Sequence, residues 1–86
     1  MPKALTIHRT LVPPQDRNKF LERLKAKHQH YTATGCRFWV FEEAAIPGAF
    51  VEFAEADSPA ELSKAHAAAP EQILDPTRIY TLVELS

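Results

Sequence analysis

The chain has 86 residues, a formal net charge of −1 and one cysteine. That length makes a single domain, residues 1–86, near the lower size limit for independent stability, and a lone Cys36 excludes an internal disulfide and fits a cytoplasmic protein. No run approaches the ~20 apolar residues of a membrane span, and Met1-Pro2-Lys3-Ala4 lacks the apolar stretch of a signal peptide.

Residues 3–12 predict a first strand, with Leu5, Ile7 and Leu11 on one side and Thr6, His8 and Thr10 on the other. Pro13-Pro14 ends it, because proline donates no ladder hydrogen bond. Pro14 suits a first helical turn and Asp16 the positive end of the helix dipole. Phe20, Leu21, Leu24, His28 and Tyr31 then form a helical stripe that Gly35 terminates. Residues 36–42 and 49–55 predict a second and third strand joined by the short connection Ala44-Ala45-Ile46-Pro47-Gly48. Ser58-Pro59-Ala60-Glu61 is a capping box, with Ser at the cap and Glu three residues on. Leu62, Ala65, His66 and Ala69 form the inward stripe of this second helix; Pro70 limits it and Pro76 bars a long continuation. Residues 78–85, rich in Ile, Tyr, Thr, Leu and Val, predict a closing strand.

The order is βαββαβ. Right-handed crossovers place both helices on one face of a four-stranded antiparallel sheet, the α+β plait called ferredoxin-like. Its strands carry a doubled burial signal. Phe38-Trp39-Val40-Phe41 and Phe50-Val51-Glu52-Phe53 put large apolar groups on both faces. A sheet covered on one side only should alternate apolar with polar, so a second copy of the sheet is the expected cover. Charge is also uneven: residues 1–35 carry +5 and residues 36–86 carry −6. The basic excess sits mainly on the first helix and reads as a solvated face.

Two plait families offer a resemblance. Ala49-Phe50-Val51-Glu52-Phe53 matches the last five positions of the longer RNA-binding motif of RNA-recognition domains. The basic residue, glycine and first aromatic of that motif are here Ile46, Pro47 and Gly48, and Thr6 stands where the first strand should stack a base. Nucleic acid is therefore not an expected partner. Phe50-Val51-Glu52-Phe53-Ala54-Glu55-Ala56-Asp57-Ser58-Pro59-Ala60-Glu61-Leu62, with Ala65-His66, resembles the dimeric α/β-barrel superfamily in its antibiotic-biosynthesis-monooxygenase-like branch. The resemblance implies a homodimer packed sheet to sheet and a pocket between sheet and helices. It implies no single activity, since relatives include cofactor-free oxygenases of polycyclic phenols, haem-degrading enzymes and isomerases. Haem-degrading members resemble one another in an Asn on the first strand, a Trp ending the third and a His after the second helix. The first two positions here are His8 and Ala56, and no histidine follows His66. Haem chemistry is thereby disfavoured.

The expectation is a small monooxygenase-like enzyme, without bound cofactor or metal, acting on an aromatic or polyketide-like molecule. The alternative is a non-catalytic ligand-binding or assembly module of the same fold. His8 is the candidate base, because imidazole accepts a proton near neutrality; its bland alternative is a hydrogen bond across a dimer interface. The remaining substrate-binding candidates are Arg9 and Arg37 as anion stabilisers, Trp39 and Tyr80 as contacts, Glu52 and His66. Glu52, on a central strand among apolar neighbours, needs a partner such as Arg9, Arg37 or Arg78. His66 reads equally as a hydrogen-bonded core imidazole, Trp39 as interface or core, and Tyr80 as a buried ring with its hydroxyl at the surface. His28 and His30, two apart on a helix, diverge and make no metal pair. Whether Arg37, Trp39 and Phe41 or Cys36, Phe38 and Val40 face the core is left open by periodicity.

Overall fold

The computed structural model describes residues 3–71 and 78–85; Pro76 lies outside them. Strand β1 spans Ala4–Leu11. A 3₁₀ turn over Pro14–Asp16 leads into helix α1, Arg17–Ala33. Strands β2 (Arg37–Glu42) and β3 (Ala49–Ala56) precede helix α2 (Pro59–Ala67), and a short β4 covers Tyr80–Thr81. The sheet is antiparallel in the order β2-β3-β1-β4, the ferredoxin-like α+β arrangement.

The local signals act as their chemistry requires. Ser58 caps α2, its Oγ accepting from the Glu61 N–H at 3.2 Å, with Pro59 in the first turn. At the end of α1, Cys36 N–H donates to the Tyr31 carbonyl and Gly35 N–H to the Thr32 carbonyl. This paired closure needs a left-handed residue, and Gly35 supplies φ +82°. Strand β4 is far shorter than the 78–85 expected. Thr81 already stands opposite Ala4, the first residue of β1, so the ladder runs out after the Leu82 N–H reaches the Lys3 carbonyl at 2.9 Å. Past Thr81 the tail has no partner strand left to pair with, whatever its β-propensity.

The question of faces is settled by ring contacts. Phe20 of α1 lies 5.0 Å from Phe50 of β3, and Tyr31 stacks on Phe38 of β2 at 5.2 Å. Cys36, Phe38 and Ala54 are therefore core, with Leu24, Leu62 and Ala65 of the helices packed against them. Because strand side chains alternate, Arg37, Trp39 and Phe41 take the other face. Register carries the same consequence across the sheet. His8 pairs with Glu52 and Thr6 with Ala54 on the helix side; Ile7 pairs with Phe53 and Leu5 with Tyr80 on the open side. The first strand is thus inverted relative to a simple amphipathic strand: its polar set faces the helices and its apolar set faces outward. Ile7, Leu11, Phe41 and Tyr80 are each more than 40% exposed on that face. Trp39 stacks on Phe53 at 5.9 Å, and Phe41 meets the same ring edge-on.

Gly48 holds the β2–β3 connection against the end of β1. Its carbonyl accepts from the Val12 N–H and its own N–H donates to Glu42 Oε2, both at 2.8 Å. With φ +93°, an added Cβ would stand 2.6 Å from the Val12 carbonyl oxygen. An added Cβ at Gly35 meets nothing within 4 Å. Gly35→Ala should cost about 1–2 kcal/mol, the left-handed penalty alone, and Gly48→Ala clearly more, because backbone must also shift. Urea denaturation of the two variants checks the order.

Candidate functional site

The inverted first strand supplies the polar floor of a cleft between sheet and helices. Its volume is about 400 Å³. His8 and Thr10 come from β1 and Glu52 from β3. Phe20 and Lys27 come from α1, with Lys19 and Arg23 nearer the rim. Arg23 pairs with Glu71, just past α2, and so ties the two helical segments across that rim. Arg17 performs a similar service nearby, gripping Glu42 through two hydrogen bonds of 2.7 and 3.0 Å. Those bonds, and then the Gly48 N–H, hold the Glu42 carboxyl down at about 2.

The dominant electrostatic feature is an ion pair under the cleft. Lys27 Nζ donates to Glu52 Oε1 at 2.9 Å, and both residues are less than 10% exposed. Glu52 Oε2 is buried and has no hydrogen-bond partner. Beneath the cleft a void of about 10 Å³, room for one water at most, is lined by His8, Lys27, Glu52, Tyr31 and His66 among others. The His66 ring bridges Thr6 Oγ1 at Nε2 (2.8 Å) and Tyr31 Oη at Nδ1 (2.6 Å). A neutral imidazole suits this position, donating through one nitrogen and accepting through the other. Burial lowers the His66 pKa, helped by His30 and Lys27. Burial, then the Glu52 and Cys36 charges, raises the Tyr31 phenol to about 12.

The same fold occurs in Rv0793 from Mycobacterium tuberculosis. The two chains are 23% identical and align over 100% of this chain and 97% of that one, with a TM-score of 0.64. That likeness concerns the fold alone. No protein-family model and no curated protein matches the chain.

Seven residues were singled out from the sequence, and the sheet divides them. His8 and Glu52 stand side by side on the cleft floor, with His66 in the filled polar layer beneath. Arg9, Arg37, Trp39 and Tyr80 lie on the opposite, open face. Arg9 pairs there with Glu43 at 3.0 Å, and Arg37 with Glu55 and with Asp57 at 3.0 Å. His8 points toward the helices and not toward the open face. The partner of Glu52 is Lys27, and not Arg9, Arg37 or Arg78. Lys27 had a signal in the sequence: Phe20, Leu24, Lys27 and Tyr31 recur at spacings of four, three and four, and these are the buried positions of α1. His28 of the expected stripe is exposed instead, its ring edge-on to Phe38. His30 Nε2–H donates to the Ala65 carbonyl at 2.8 Å and pins α1 to α2. A second, more open hollow of about 470 Å³ lies between α1 and β2, lined by Leu21, Leu24, His28, Phe38, Trp39 and Val40 among others. It lacks a convergent set of buried polar groups. Among the described residues, no three His, Cys, Asp or Glu side chains converge as metal ligands, and no helix is long and apolar enough to cross a membrane.

The buried pair His66–Tyr31 predicts a two-sided pH dependence. The unfolded imidazole takes up a proton near pH 6.5, while the folded one resists it to lower pH. Its contribution is complete above that pH and declines as pH falls below it. The unfolded phenol ionises near pH 10 and the folded one near 12, so the Tyr31 contribution declines as pH rises above 10. Thermal midpoints measured across pH should fall at both ends. His66→Gln should be less stable at neutral pH and should flatten the acid limb; an unchanged acid limb would show that His66 is not its source.

Proposed function

We propose that the protein is a small monooxygenase-like enzyme, working without a bound cofactor, whose substrate is an aromatic or polyketide-like molecule held in the cleft. The observation that carries this reading is the cleft itself: about 400 Å³, within the range of small-molecule sites, with an imidazole on its floor. A plait that served only for assembly would fill that space with side chains. The second sheet face supports the other half of the reading, a homodimer in which two open faces cover each other. Trp39, Phe41 and Phe53 are the kind of aromatic residues that interfaces favour.

The chemistry needs one base and dioxygen. A ring CH₂ activated by a neighbouring phenol or ketone loses a proton to His8. The electron-rich carbon then forms a C–O bond to dioxygen, and the resulting peroxide takes the proton back to become a hydroperoxide. Loss of the second C–H proton to His8 accompanies O–O cleavage, which leaves a C=O group and expels hydroxide. Hydroxide recovers that proton and departs as water, so one oxygen atom enters the product and the other enters water. Among the described residues the His8 imidazole makes no hydrogen bond, which leaves its ring able to turn toward a ligand. His66, bonded at both ring nitrogens, holds the layer beneath.

Aerobic oxidation of 1,8-dihydroxyanthrone to the anthraquinone, followed by absorbance, tests the assignment. The wild type should exceed the buffer rate, and His8→Ala should lower kcat by about 10²–10⁴-fold with the fold intact by circular dichroism. Equal turnover in His8→Ala would end the catalytic role. Tight binding without turnover in the wild type would make the protein a binding module.

A further inference from the structure

The orphaned oxygen of Glu52 says something about the ligand that cleft size does not. Glu52 is 4% exposed, and its Oε1 is taken by Lys27. Its Oε2 is buried without a partner, although more than nine in ten buried polar atoms in proteins have one. Glu52 lines both the cleft and the small void below it, so its buried carboxylate lies next to a space that a ligand can enter. The packing does not supply the missing donor. Of the polar groups beside it, Lys27 bonds Oε1, Tyr31 and Thr6 bond the His66 ring, and neither Thr10 nor the His8 ring makes a hydrogen bond to Glu52.

Resting on the ligand-binding reading of the cleft, we infer that Glu52 Oε2 is its anchoring acceptor. It takes a hydrogen bond from an O–H or N–H group at the inserted end of the ligand. Three consequences follow from geometry and charge. The ligand's donor group enters first, because Glu52 is at the floor. Since His8 is the cross-strand neighbour of Glu52, anchoring the donor there brings the adjoining ring atoms beside the imidazole, as cross-strand neighbours stand about 4.5–5.5 Å apart at Cβ. The cleft also discriminates against ligands that insert a carboxylate. That group would meet a buried oxygen of like charge whose cation, Lys27, is already engaged. Lys27 is a positioning residue in this account: its bond to Oε1 fixes the direction of Oε2.

Three naphthalene probes of equal ring size separate the possibilities: 1-naphthol, which donates; 1-methoxynaphthalene, which cannot; and 1-naphthoate, which carries the charge. Affinities come from calorimetry, with binding placed in the cleft by the His8 imidazole NMR signals. No turnover is needed, so the outcome does not depend on the oxygenase assignment. The wild type should prefer naphthol to the methyl ether by about 10- to 100-fold, the range of a hydrogen bond to a charged group, and should bind naphthoate most weakly. Glu52→Gln should collapse the naphthol preference to a few-fold and strengthen naphthoate at least as much as it weakens naphthol. Because a lone buried Lys27 can unfold that variant, the double replacement Lys27→Met with Glu52→Leu is made alongside; it removes both charges together, which cores tolerate, and should bind naphthol and the ether equally. Equal affinity of the wild type for naphthol and its ether would overturn the inference and leave the cleft reading standing, with a water as the partner of Oε2. A preference that survives in the double replacement would do the same. Binding of none of the three probes near His8 would remove both.

Discussion

One constraint organises this molecule: the side chains of a strand alternate, and the central strands have given their inner positions to polar groups. Thr6, His8 and Glu52 face the helices, so Ile7, Val51 and Phe53 must face away. A slip of one residue would exchange the two sets. It would place Phe53 under the helices and Glu52 on the outer surface, a more ordinary amphipathic sheet. The register is fixed against that slip by the Lys27–Glu52 pair and by the bridge from Thr6 through His66 to Tyr31. Removing one partner of such a buried pair costs about 3–5 kcal/mol, a large share of the stability of a domain this small.

That polar interior is expensive for a small domain. Each fully buried aliphatic side chain stabilises by about 1.5–3 kcal/mol, and the core holds few of them beyond Leu24 and Leu62. Much of the remaining large apolar surface sits on the open face, where a single chain leaves it half wet. The two faces are therefore linked. An inner face that keeps an open, polar-floored cleft gives up hydrophobic burial, and an outer face rich in Trp39, Phe41 and Phe53 offers it back to a second sheet. The proposed dimer would return to the outer face the burial that the polar inner face gives up.

Much of the fold could be read from local chemistry. The Ser58 cap, the Gly35 closure and the strand punctuation at Pro13-Pro14 each act within a few residues, and each stands where the sequence places it. Signals that depend on distant partners were less legible. The closing strand shrank to two residues, and its C-terminal end is set by where β1 begins, 77 residues earlier in Ala4↔Thr81. The pairing of Glu52 with Lys27 spans 25 residues, and a lysine on a helix reads first as solvated. Its position on the stripe from Phe20 to Tyr31 was the available clue. The separation of Arg9, Arg37, Trp39 and Tyr80 from His8 followed from alternation once one face was assigned. Periodicity groups residues by face but does not say which face the helices cover; the contacts of Phe20 with Phe50 and Tyr31 with Phe38 decide it.

The most direct measurement uses the protein's single tryptophan, which lies on the open face of the sheet. In the isolated chain Trp39 is 37% exposed. Emission and acrylamide quenching of Trp39 are recorded while the protein is diluted from tens of micromolar to tens of nanomolar, beside sedimentation velocity. The account predicts blue-shifted, weakly quenched emission from a dimer at the high end, moving to red-shifted, strongly quenched emission as monomer forms. Red-shifted, quenchable emission from a monomer at every concentration would contradict it.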